Sequence, residues 1–170
     1  GGTSAALKEQ LGGYEVARNF RSKTEMGWVF DRDGNKIVAK QGQAAEITWR
    51  PDEIAKMQNA VMTHNHPVGF PPSAADFLFA ANANLSEMRA FGSVKKGSSY
   101  IYSITRPADG WPELEVLHRA MEDSVKRTGA LKEYRAGKLN EAKASEFLHE
   151  AYKDISKQFG IVYKRESVKI

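Results

Sequence analysis

Apolar positions recur along the chain in two rhythms, and the change of rhythm divides it. Between residues 26 and 105 they come in short runs. Met26-Gly27-Trp28-Val29-Phe30 and Lys36-Ile37-Val38-Ala39 flank Asp31-Arg32-Asp33-Gly34-Asn35, a pattern that predicts a hairpin around an Asp-Gly turn. Ile47-Thr48-Trp49 is expected to extend the same sheet. Pro51 is placed to open a short helix through Ala55 and Met57, since proline suits a first helical turn. Ala60-Val61-Met62-Thr63 predicts a short buried strand that runs into His64-Asn65-His66-Pro67, followed by a loop from Val68 to Pro72. Ser73 then caps a helix carrying Phe77, Leu78, Ala81 and Leu85 on one face. Met88 to Val94 and Ser99 to Ile104 predict two more strands around Lys95-Lys96-Gly97. Ahead of all these, Ser4 to Gln10 predicts a short helix ended by Gly12-Gly13.

Beyond Arg106 the period lengthens. Trp111, Leu114, Leu117, Met121 and Val125 recur at three- and four-residue steps, and so do Leu148, Tyr152, Ile155 and Phe159. Gly160 follows the last of them, as a helix C-cap should, and Gly137 marks a turn. The expectation is an α/β (α+β) core with a helical hairpin over 111–160 packed on it. Residues 1–20 form an N-terminal helical or linker segment, 21–106 the core and 107–170 a C-terminal helical extension.

Composition narrows the function classes. The chain has 170 residues, enough for one domain. Its longest apolar-leaning stretch, Phe77 to Ala81, is too short to cross a membrane, and no signal peptide is visible at the start. This leaves the compartment open. The opening Gly1-Gly2-Thr3 reads as the start of a piece cut from a larger parent protein. There are no cysteines, which removes disulfides, cysteine nucleophiles and thiolate metal sites together. The net charge of +4 is spread evenly, with no basic stripe of the kind nucleic-acid proteins concentrate. A weak phosphate-binding role stays open.

The chemistry lies in His64-Asn65-His66-Pro67 and, with six residues between His66 and Ser73, in Ser73-Ala74-Ala75-Asp76. Histidines two apart on an extended chain point to one side, so both imidazoles can reach one ion. Asp76 stands one turn into the helix that Ser73 begins, and its carboxylate can return toward the same loop. Two imidazoles and a carboxylate suit Zn²⁺ with a fourth position for water. Ser-x-x-Asp before an apolar run is also a helix capping box, a purely structural device. Both readings stand at this point.

His-x-His-Pro, a short loop and Ser-x-x-Asp together resemble the signature of the JAMM (MPN-domain) metalloproteases. With Asn between the histidines, His64-Asn65-His66-Pro67-Val68-Gly69 looks most like RadC-type proteins and related domains of phage structural proteins and polymorphic toxins. The resemblance covers about residues 20–106. It implies a cytidine-deaminase-like three-layer core with a mixed central sheet, zinc held by His64, His66 and Asp76, and Ser73 polarising a carbonyl and stabilising its oxyanion. It also implies an upstream Glu as general base. The candidates are Glu15, Glu25, Glu46 and Glu53; Glu25, at the head of the Met26–Phe30 run, is preferred and Glu46 is the runner-up. The activity implied is a zinc-dependent peptidase or isopeptidase acting on a protein or peptide. The wider setting would be a module of a larger phage or toxin protein, with an immunity protein or the parent as partner. A metal-dependent nuclease and a non-catalytic scaffold are the alternatives.

Other residues carry less. Phe70, between the ligands, either lines a substrate groove or pins the loop. His118 is expected at a packed boundary and His149 on a solvated helix face. Trp28, Trp49 and Trp111 are expected as core or edge aromatics. Asp31 to Asn35 lacks the downstream Glu of a calcium loop and is expected to be a turn.

Overall fold

Six strands form one mixed sheet, and the alternation of side chains across it sorts the helices into two layers. The structure is a computed structural model and describes residues 3–17, 24–42, 47–66, 69–93 and 99–168. Helix α1 (Ala5–Ala17) precedes the hairpin of β1 (Met26–Phe30) and β2 (Lys36–Gln41). Then come α2 (Pro51–Ala55), β3 (Val61–His66), α3 (Ala74–Asn82), β4 (Glu87–Ser93) and β5 (Ser99–Thr105). Helices α4 (Leu114–Thr128), α5 (Ala130–Arg135) and α6 (Glu141–Phe159) follow, and β6 (Val162–Val168) closes the chain's order. The sheet runs β2-β1-β3-β4-β5-β6. Among the described residues, β3 and β4 are the one parallel pair. A parallel pair needs a crossover, and α3 provides it.

Trp28, Phe30 and Val61 bury one face of the sheet against Leu7 and Leu11 of α1. Their neighbours Val29 and Met62, with Met88 and Ile104, join the larger core on the opposite face. There they meet Phe77 of α3, Leu117 and Met121 of α4, and Leu148, Tyr152 and Ile155 of α6. The period-2 rhythm of the strands and the longer rhythm of the helices therefore meet in one core. The hairpin turn is as expected: Asp31 Oδ1 accepts from the backbone N–H groups of Asp33 and Asn35, and Gly34 takes a φ of +88°.

Several expectations need correction. Helix α1 does not stop at Gly12-Gly13 but runs through both. Each glycine costs about 1 kcal/mol in a helix interior. Glu15 lies four residues beyond the buried Leu11, however, so continuing the helix brings it to Arg89 of β4 at 2.9 Å. Ile47 to Trp49 adds no strand. A Cβ on Gly27 would lie 2.9 Å from Ile47 Cδ1 and 3.0 Å from Trp49 Cζ2, so this segment lies over the face of β1 instead of along an edge. The hairpin expected over 111–160 is three helices, with Gly129 in the left-handed region between α4 and α5. Trp111 stands ahead of α4 and donates its indole N–H to the Leu85 carbonyl. The turn at Lys95-Lys96-Gly97 lies outside the described residues.

The extension is also not purely helical. Past Gly160 the chain returns to the sheet as β6, paired to β5 from Val162↔Thr105 to Val168↔Ser99. Lys164, Arg165 and Glu166 give this segment the charged look of an edge strand, which hides it from a hydrophobic pattern. Tyr163 of β6 reaches across to α6 and bonds His149 Nδ1 at 2.7 Å. His149 is thus buried, not solvated, and burial holds its pKa below the ordinary value, with the nearby Arg165 cation adding to the effect. His118 is the reverse: it is exposed beside Glu122 rather than packed at a boundary.

The extension therefore belongs to the main core. Leu148→Ala is expected to lower unfolding free energy by about 2–5 kcal/mol in urea denaturation, the cost of a core cavity. A loss below about 0.5 kcal/mol, typical of surface substitutions, would make α6 an appendage.

Candidate metal centre

Strand β3 carries His64 and His66 two residues apart, both buried, so their rings project from the same face. The strand register sets small residues beside them. Gly27 of β1 and Ala90 of β4 flank His64, and Gly92 of β4 stands beside His66. The crossover helix α3 returns over this end of the strand, and its first turn delivers Asp76. Ser73 is the N-cap: its Oγ accepts from the Asp76 N–H at 3.2 Å, and Asp76 Oδ2 accepts from the Ser73 N–H at 2.9 Å.

Asp76 does not choose between capping and ligand geometry. The same Oδ2 lies 3.1 Å from His66 Nε2 and 3.4 Å from His64 Nε2, and the two Nε2 atoms are 2.9 Å apart. A tetrahedral Zn²⁺ with bonds of about 2.0–2.1 Å has ligand–ligand edges of about 3.3 Å, so this triangle is nearly that of one face of such a site. A carboxylate oxygen has two lone pairs, enough for the Ser73 N–H and for a cation. His66 is further oriented by the Phe70 carbonyl, 2.9 Å from Nδ1. A proton on Nδ1 leaves Nε2 free to ligate, which is the usual outer-shell device of metal-bound histidines. Among the described residues His64 Nδ1 has no hydrogen-bond partner. His64, His66 and Asp76 are thus a group able to hold a metal ion.

The loop between the ligands is held on several sides. The Phe70 ring meets the Tyr134 ring of α5 edge-on at 5.0 Å. Ser145 of α6 donates to the Gly69 carbonyl at 3.2 Å. From below, a Cβ on Gly92 would come within 3.3 Å of the Phe70 carbonyl oxygen, so the loop rests directly on β4. Of the two roles open to Phe70, pinning the loop is the one with contacts in the structure. These supports from α5 and α6 left no trace in the sequence pattern, because Tyr134 and Ser145 are far from the motif in the chain.

Electrostatics follow from the packing. Burial pulls His66 toward its neutral form, but the Asp76 carboxylate, Glu25 and the Phe70 carbonyl outweigh it and push its pKa up to about 9. Burial works against ionised Asp76, yet the two imidazoles hold its carboxyl well below the ordinary range. In the absence of a metal, a proton on the histidine pair supplies the positive charge that the carboxylate requires.

Of the four candidate glutamates, three lie among the described residues, in different surroundings. Glu15 is buried in its ion pair with Arg89. Glu53 is taken up by Lys40 and by the Arg50 N–H. Glu46 lies outside the described residues. Glu25 directly precedes β1, and its charge acts on His66. The β1–β3 pairing ends at Gly27↔His64, two residues past Glu25 in the chain. Ser73 is exposed at the helix end, with its hydroxyl oxygen used as an acceptor and its proton left to donate.

Because the folded pKa of His66 lies above 6.5, the protonated ring stabilises the metal-free fold fully below pH 6.5, and this contribution fades as pH rises through about 9. Metal-free protein is therefore expected to lose melting temperature between these values, and Zn²⁺ to abolish the loss. Calorimetry of Zn²⁺ uptake near pH 7.5, in buffers of different ionisation enthalpy, should show release of about one proton. Uptake without proton release would contradict the assignment of His66 as a ligand.

Comparison with protein-family models, with curated proteins and with solved structures finds no match for this chain. The three converging side chains must be read from their own geometry.

Proposed function

We propose that this chain is a zinc-dependent amide hydrolase, a metallopeptidase or isopeptidase of the JAMM type. The observation that supports it most is the triangle of His64 Nε2, His66 Nε2 and Asp76 Oδ2, with the charge of Glu25 acting on His66. Three protein ligands leave an open position, the mark of catalytic zinc rather than structural zinc. His64, His66 and Asp76 would hold a divalent ion, which would supply Lewis acidity toward a water and a carbonyl. Glu25 accepts a proton from the water and returns it to the leaving amine. The Ser73 hydroxyl, its oxygen already engaged as helix cap, donates its proton toward the carbonyl oxygen as negative charge develops. The substrate class is a protein or peptide, and Phe70, whose carbonyl meets His66, borders the centre. Among the described residues no helix is long and apolar enough to cross a membrane.

Glu25→Gln is expected to retain stoichiometric Zn²⁺ and to lose turnover by about 10²–10⁴-fold, the range for removal of a general base. The measurement is chelator-sensitive cleavage of a panel of peptides and ubiquitin-like fusions, alongside metal analysis. Wild-type protein that nicks plasmid DNA but cleaves no amide would replace the peptidase by a nuclease. Protein without affinity for Zn²⁺ would be a scaffold.

A further inference from the structure

We propose that Asn65 is a positioning residue: its side-chain amide grips the backbone on both sides of Glu25 and aims that carboxyl at the histidine–aspartate triangle. The inference rests on the reading of Glu25 as the general base. Asn65 is buried at 2% exposure, between the two histidines. Its Oδ1 accepts from the Met26 N–H at 2.7 Å, and its Nδ2 donates to the Thr24 carbonyl at 3.1 Å. Those two groups flank Glu25 in the chain. On the other side of the strand the Glu25 carbonyl accepts from the Gly42 N–H at 2.8 Å. The backbone of Glu25 is thus held from both sides, just ahead of the regular ladder that begins at Gly27↔His64.

The residue type fits this task closely. A primary amide presents one acceptor and two donors, so it can replace a peptide group in a ladder. Only one orientation of the amide satisfies both partners, because the Thr24 carbonyl needs a donor and the Met26 N–H an acceptor. Aspartate keeps the acceptor but sets an oxygen against the Thr24 carbonyl. Alanine offers neither. The placement also has a consequence for the site as a whole: His64, Asn65 and His66 are consecutive, so one stretch of β3 orients two metal ligands and the base together. An error in the base position of about 1 Å can cost about 10²-fold in rate, which gives such a grip something to protect.

The test compares wild type, Asn65→Ala, Glu25→Gln and the double variant. Site-resolved amide exchange at Met26, referred to Val29, is expected to be at least about 10-fold faster in N65A, with Zn²⁺ affinity within about 3-fold of wild type. On the substrate cleaved by wild type, kcat is expected to fall about 10- to 100-fold with KM little changed. In the E25Q background N65A is expected to cost nothing further, since residues acting through one another are not additive. Unchanged exchange at Met26, or an equal loss of kcat in both backgrounds, would overturn the proposal. So would a loss of Zn²⁺ in proportion to the loss of rate. E25Q as active as wild type would sink the function reading instead, whereas inactive E25Q beside fully active N65A would sink this proposal alone. If N65A does not fold, N65D answers the same question: it is expected to keep Met26 protected and Zn²⁺ bound yet lose kcat, and full activity in N65D would overturn the proposal.

Discussion

One carboxylate oxygen ties the fold to the centre. Asp76 Oδ2 accepts from the Ser73 N–H and so fixes the first turn of α3, and the same atom closes the triangle with His64 and His66. A capping box fixes where a helix begins and at what angle the chain enters it. Here that angle also decides whether a ligand arrives. The crossover between the parallel strands β3 and β4 therefore serves as the arm that carries Asp76 over the end of β3.

Around that oxygen the structure controls both space and charge. Small residues stand beside the imidazoles in the sheet register, and other segments pack onto them: Ile47 and Trp49 over Gly27, and the backbone of Gly69 and Phe70 over Gly92. Charge is close to balanced locally. Two imidazoles press Asp76 toward its ionised form, while Asp76 and Glu25 press His66 toward its protonated form against the cost of burial. A buried carboxylate is tolerated only with such compensation. A divalent cation in exchange for a proton meets the same requirement, so metal binding and protonation compete for one well.

The helices after Arg106 do more than cover the sheet. Tyr134 and Ser145 hold the loop between the ligands, and Tyr152 packs on Phe77, one residue after Asp76. Burial raises the Tyr152 pKa and the neighbouring Asp76 carboxylate raises it further, which keeps the phenol neutral beside that anion. β6 then closes over α6 and buries His149 against Tyr163. Core, loop and centre are in this way parts of one packed unit.

Local order was legible in the chain by itself. The Asp-Gly hairpin, the buried strand ending in two histidines, the Ser73 cap and the long amphipathic helices follow from periods, turn residues and caps, which act over a few residues. The three ligating residue types, and the option of a cap or a ligand at Asp76, were legible for the same reason. What the tertiary structure alone decided lies at long separation. It carried α1 through two glycines, beyond which Glu15 found Arg89 of β4. It took Ile47 and Trp49 out of the ladder because Gly27 left a gap for them. It turned a charged tail into β6 because β5 offered an open edge. It separated Glu25 from Glu15 and Glu53, and it gave Asn65 its partners 39 and 41 residues away. None of these contacts has a local signature, because each depends on which distant groups the folded sheet brings within reach.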